Sequence, residues 1–123
     1  MLQAELEAQF HHAMQAYVSG QLAQAAEQFA QITQQWPTCV EAWFQRAEIA
    51  EQQRNFSDAI TYYEKVLEQQ PDIQEAWFRL GAIAAQQQAV ALAIQYWEQC
   101  LSINPDYTEA HLHLGLLYAR QEA

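Results

Sequence analysis

The chain is poor in the residues that break regular structure, with three glycines and three prolines in 123 residues. With so few breakers, an all-helical domain is the first expectation. Cysteine is scarce too: Cys39 and Cys100 stand alone, with no Cys-x-x-Cys pair. A secreted disulfide scaffold is far denser in cysteine, so two free thiols in a reducing compartment are expected. Positive charge is short, with 5 Lys and Arg against 15 Asp and Glu and a net charge of −10. Such a surface repels a phosphate backbone and an anionic membrane face, which excludes nucleic acid as a partner. No run approaches the roughly 20 apolar residues that a membrane helix needs, so no insertion is expected. The start, Met-Leu-Gln-Ala-Glu-Leu-Glu, has no basic stretch followed by an unbroken apolar one, as a signal peptide would. A cytoplasmic location is the expectation.

What the chain does have is glutamine, alanine and glutamate, all good helix formers, and an apolar half large enough for one continuous core over residues 1–123. It also has a period. Pro37, Pro71 and Pro105 are spaced by 34 residues. Ala25, Ala59 and Ala93 keep the same step, as do Phe29, Tyr63 and Trp97, and Ile32, Val66 and Cys100. Glu41, Glu75 and Glu109 follow it, then Ala42, Ala76 and Ala110, then Trp43, Trp77 and His111. A repeat of this length marks a solenoid whose units cannot bury their faces alone.

Each unit reads as two helices. After each proline a cap residue precedes a Glu by three positions: Thr38 and Glu41, Asp72 and Glu75, Asp106 and Glu109. That spacing predicts a reciprocal capping box. Helical spacing of apolar and small residues follows, as in Trp77, Leu80, Gly81 and Ala84. A break comes at Ser19-Gly20 and Arg54-Asn55, and the next helix ends before the following proline. Gly81 is expected to face Ala93 across one hairpin, as Ala47 faces Ala59, because helix axes approach closely only over small side chains. The turn Gln86–Ala89 lacks a glycine and a good cap, so its conformation is expected to be the least well determined of the hairpin turns. Arg46 stands where leucine is usual and must carry its charge past the core on its stem.

These residues resemble the tetratricopeptide repeat family, whose signature runs Trp, Leu-Gly, Tyr, Ala, an aromatic and Pro in one unit. The third unit supplies Trp77, Leu80, Gly81, Ala93, Trp97 and Pro105, and the second Trp43, Ala47, Phe56, Ala59, Tyr63 and Pro71. The first has Gln9 in place of the Trp but keeps Gly20, Ala25, Phe29 and Pro37. The resemblance implies an all-α fold, an α-solenoid: a right-handed superhelix of antiparallel helical hairpins with about seven helices. Repeats are expected over 6–39, 40–73 and 74–107, with a terminal helix over 107–121.

Nothing here resembles a catalytic constellation. The pairs His11-His12 and His111-x-His113 lack the i, i+4 spacing that sets two ligands on one helix face. No paired acid and base, phosphate-cradling loop or nucleophile motif appears, so no enzyme activity, metal or cofactor is expected.

In the family the first helix of each unit lines a concave groove. The groove set that the resemblance implies is Glu7, Phe10, His11, Met14 and Tyr17, then Glu41, Phe44, Gln45, Glu48 and Glu51. It continues with Glu75, Phe78, Arg79 and Ala82, and ends with Glu109, Leu112, His113 and Leu116. Phe10, Phe44, Phe78 and Leu112 share one repeat position and form a ladder of apolar anchors. Chaperone co-factors of the family clamp a C-terminal carboxylate with Lys, Asn, Asn, Lys and Arg. The matching positions here are Phe10, Met14, Gln45, Glu75 and Arg79, of which only Arg79 fits. Glu75 repels a carboxylate, so that clamp is rejected.

The expected function is a non-catalytic scaffold or adaptor that binds a basic and apolar peptide or protein segment in its groove. Two alternatives remain. One is self-association through the repeat ends, a homodimer in its simplest form, with Leu114, Leu117 and Tyr118 as the oligomer face. The other is the N-terminal partner-binding arm of a larger bacterial enzyme.

Overall fold

The computed structural model describes residues 2–122, with side chains over residues 3–121. Among them are seven helices and no strand: α1 (Leu2–Val18), α2 (Leu22–Gln35), α3 (Val40–Gln52), α4 (Phe56–Gln69), α5 (Gln74–Gln86), α6 (Val90–Ile103) and α7 (Thr108–Glu122). α1 packs on α2, α3 on α4 and α5 on α6, the hairpins that the period predicts. The backbone divides into two compact units, Met1–Gln70 and Pro71–Ala123.

The same two backbone bonds close every hairpin. The N–H of Gly20, Arg54 and Gln88 reaches the carbonyl three residues back, and the next N–H reaches the carbonyl five back. This 6→1 and 5→2 pairing is a Schellman motif, which needs a left-handed residue. Gly20, Arg54 and Gln88 take that conformation at φ 81°, 60° and 63°. The glycine-free turn at Gln86–Ala89 therefore closes like the others, with Gln88 bearing a strain of about 1 kcal/mol.

The proline turns explain the Trp, Trp, His series. The indole Nε1–H of Trp43 donates to the Pro37 carbonyl and that of Trp77 to the Pro71 carbonyl, both at 2.8 Å. His111 Nε2–H donates to the Pro105 carbonyl. A ring N–H held six residues past the proline ties each turn to the helix it starts.

The capping boxes expected on α3 and α5 do not form. The N-cap residues of α3 and α5 are Cys39 and Ile73, with no side-chain cap bond. Thr38 and Asp72 lie one residue too early, within the proline turn. Glu41, Glu75 and Glu109 instead sit in the first turns of α3, α5 and α7, where a negative charge favours the helix dipole. A side-chain cap does form on α4, where Asn55 Oδ1 accepts from the Asp58 N–H at 3.4 Å.

In the first unit Ala13, Ala16, Ala25, Phe29, Ile32, Ala42 and Ile49 form the buried cluster. Arg46 resolves its conflict with the core by more than reach. Its guanidinium lies 4.1 Å over the Tyr62 ring and donates to Thr33 Oγ1 (3.0 Å) and Tyr62 Oη (2.8 Å). Thr33, a buried polar side chain, passes its own proton to the Ala30 carbonyl. In the second unit Phe78, Ala84, Ala93, Trp97, Cys100, Ala110, Leu114 and Leu117 form the core. Gly81 is needed there, but for Trp97 rather than Ala93. A Cβ at Gly81 would lie 2.3 Å from Trp97 Nε1. That indole is 1 % exposed and donates to the Phe78 carbonyl at 3.1 Å.

Candidate functional site

In the first unit α1 and the start of α3 enclose a cavity of about 420 Å³. Its lining is Gln3, Leu6, Glu7, Phe10, His11 and Met14 from α1, with Cys39 and Glu41. Leu6, Phe10 and Met14 recur at i, i+4 and i+8, one face of α1, and are half-buried. Phe10 is fixed from behind by an edge-on contact with buried Phe29, centroids 5.4 Å apart. Glu7 and Glu41 are exposed on the rim, and among the described residues no Lys or Arg lines the space. The walls thus offer apolar surface and the rim offers negative charge.

The other expected groove residues of this unit are held by neighbours. Tyr17 accepts a bond at its hydroxyl from Gln52 Nε2. Phe44 stands edge-on to Tyr63 at 5.6 Å. Glu51 accepts the Tyr63 hydroxyl proton at 2.8 Å, so its charge serves the hairpin interior. Gln45 and Glu48 are half-buried on α3.

The second unit shows the corresponding region closed. Phe78, expected as a groove anchor, is 6 % exposed. Trp97 stacks on it at 6.3 Å, Tyr107 covers it at 5.5 Å and His113 meets it edge-on at 5.1 Å. Truncating it would therefore strike the core. Nδ1–H of His113 donates to the Glu109 carbonyl at 2.8 Å, which holds the ring over Phe78. Arg79 pairs with Glu75 at 3.4 Å on the helix surface, and Ala82 is half-buried. Leu112 stands in solvent, 58 % exposed. Of the expected oligomer face, Leu114 and Leu117 are buried in the α6–α7 core and only Tyr118 is exposed. Repeat spacing gave α7 its periodicity but not which side α6 covers.

The two units differ for a legible reason. Phe78, Tyr107 and His113 stand 68 residues after Phe10, Cys39 and Gln45. The small Cys39 thiol lines the space beside Phe10, where the second unit sets the Tyr107 ring against Phe78. Cys39 was missed as a wall of the site, although its size against Tyr107 was readable in the repeat.

Both thiols are unsuited to nucleophilic work at neutral pH. Burial is the main cause in each, raising the Cys39 thiol and pushing Cys100 up to about 11. Among the described residues no three His, Cys, Asp or Glu are placed to share a metal ion. No described helix is long and apolar enough to cross a membrane.

A family model for the tetratricopeptide repeat matches residues 11–69 and 45–101. No curated protein matches the chain by sequence. Among solved structures, the crystal structure of MamA superposes with a TM-score of 0.88 at 19 % identity, covering 95 % of this chain and 68 % of that one. The first repeat domain of Spaghetti (RPAP3), bound to the HSP90 peptide SRMEEVD, gives 0.86 at 16 % identity, covering 96 % and 94 %. An O-GlcNAc transferase mutant from Thermobaculum terrenum gives 0.79 at 23 % identity, covering 93 % of this chain and 22 % of that one.

Proposed function

Since the chain belongs to the tetratricopeptide repeat family, we propose that it is a non-catalytic protein-interaction module whose first-unit cavity takes a large apolar side chain of a partner segment. The observation that carries this reading is the cavity itself, about 420 Å³ with Leu6, Phe10 and Met14 along one helix face and Glu7 and Glu41 on the rim. An apolar anchor buried there supplies affinity, and the rim carboxylates select Lys or Arg beside it. The segment can be extended or an amphipathic helix.

An acidic peptide like the SRMEEVD on the RPAP3 domain does not suit this chain. At the five clamp positions it offers Phe10, Met14, Gln45, Glu75 and Arg79, and Arg79 is already paired with Glu75.

Fluorescence anisotropy with two labelled peptides tests the reading, one with Leu or Phe flanked by Lys and Arg, one with the basic residues replaced by Glu. The basic peptide should bind more tightly, and raising salt should slow its association because exposed charges are screened over about 8 Å at physiological ionic strength. Glu7→Lys with Glu41→Lys, both exposed positions, should reverse the preference. Preference of the parent for the acidic peptide, or no response to the reversal, would overturn it.

A further inference from the structure

α7 has two apolar faces. Ala110, Leu114 and Leu117 point into the core of the second unit. Leu112, Gly115, Leu116 and Ala119 recur at i, i+3, i+4 and i+7 on the other side, and all four are exposed. Leu112 and Leu116 are 58 % and 54 % exposed.

Gly115 serves no close contact among the described residues. It occupies the repeat position of Gly81, where the Trp97 ring forbids a side chain. At Gly115 a Cβ would meet nothing within 4 Å, and φ is not in the left-handed region. A glycine inside a helix costs about 1 kcal/mol relative to alanine, here with no compensating contact among the described residues. Its remaining benefit is the close approach of another helix axis.

We propose that this face pairs with the same face of a second copy of the chain, the two α7 helices running antiparallel and crossing at Gly115. The charges decide the occupant and the direction. Between Glu109 and Arg120 there is no Asp, Glu, Lys or Arg, in a chain with 15 acidic residues. Glu109 lies six residues before Gly115 and Arg120 five after. At a rise of about 1.5 Å per residue these are about 9 Å and 7.5 Å from the crossing. Both flank the stripe on the Leu116 side, about 120–140° round the helix from Gly115 at 100° per residue. A two-fold axis perpendicular to both helices keeps that side and reverses the direction, so Glu109 of each copy meets Arg120 of the other. A parallel two-fold pair would put Glu109 level with Glu109 and Arg120 level with Arg120, on opposite sides, and form no such ion pair. Both residues are exposed, and Arg120 makes no ion pair within the described residues. The arrangement is isologous and closes as a dimer. It lies in the second unit and does not depend on the peptide reading.

Sedimentation equilibrium from about 5 to about 500 µM tests it, a range suited to the small area of one helix pair. The parent should be a reversible monomer–dimer system. Gly115→Leu should raise the dissociation constant at least tenfold, while its melting temperature holds or rises because no atom of the chain is displaced. Leu116→Glu should do the same to association. Arg120→Glu should weaken the dimer, and Arg120→Glu with Glu109→Arg should restore it to within about threefold of the parent. A parent that stays monomeric at the highest concentration overturns the proposal. So does a dimer indifferent to Gly115→Leu and Leu116→Glu, or a double charge exchange weaker than Arg120→Glu alone.

Discussion

Gly81→Ala adds one methyl group to the chain, and helix propensity alone says that it should stabilise α5 by about 1 kcal/mol. The structure says the opposite. The new Cβ would stand 2.3, 2.5 and 2.8 Å from Nε1, Cδ1 and Cε2 of Trp97. Carbon contacts settle at about 3.5–4.0 Å, so the indole must retreat by about 1 Å. It has nowhere to go, being 1 % exposed, stacked on Phe78 and 5.5 Å from His113. Retreat also stretches its bond to the Phe78 carbonyl. Overpacking costs about 1–3 kcal/mol and a lost buried hydrogen bond about 1 kcal/mol more. Against the propensity gain, the net loss is about 1–3 kcal/mol. For a chain of this size that lowers the melting temperature by about 4–12 °C. The first hairpin suggests the rescue, since it carries Ala13 and Phe29, both buried, at the positions of Gly81 and Trp97. Gly81→Ala with Trp97→Phe should therefore lose at least about 1 kcal/mol less than the sum of the single changes. Urea unfolding followed by circular dichroism measures all four corners of the cycle. A rise in stability for Gly81→Ala, or strict additivity, would refute the reasoning.

Gln88→Gly should raise stability by about 0.5–1 kcal/mol, because Gln88 holds φ 63° where the first hairpin uses Gly20; a fall in urea midpoint contradicts the Schellman assignment. Alkaline pH should destabilise the chain. Burial raises Cys100 from 9.0 to about 11, so the protonated thiol contributes full stability below pH 9, and this is lost as pH rises toward 11. Cys39 and Tyr107, also raised chiefly by burial, act in the same direction. Cys100→Ala should then flatten part of the fall in melting temperature between pH 9 and 11, and an unchanged slope would contradict it.

The period made the hairpins legible, because Pro37, Pro71 and Pro105 punctuate a pattern whose apolar positions agree in phase. It did not give side-chain direction. Gly81 was recognisable as a close contact, yet its partner is the ring four residues past Ala93. Capping misled for a related reason: Thr38 and Asp72 have the right chemistry, but the proline turn holds them one residue before the cap position. At the candidate site, the ladder Phe10, Phe44, Phe78 treated as equals positions that differ in what covers them. Cover comes from residues further on: Cys39, 29 positions past Phe10, lines the space beside it, and Tyr107 and His113, 29 and 35 positions past Phe78, close over that ring. Reading the size of those residues separates an open pocket from a closed one.

That contrast supplies the most direct test of the interaction site. Cys39→Tyr installs in the first unit the ring that Tyr107 supplies over Phe78, and should fill the cavity beside Phe10. Calorimetric titration with the basic and apolar peptide is the measurement, beside a melting curve showing that the variant folds. The account predicts heat of binding with the parent and a loss of at least tenfold in affinity with Cys39→Tyr. Undiminished binding by a folded Cys39→Tyr chain would contradict it.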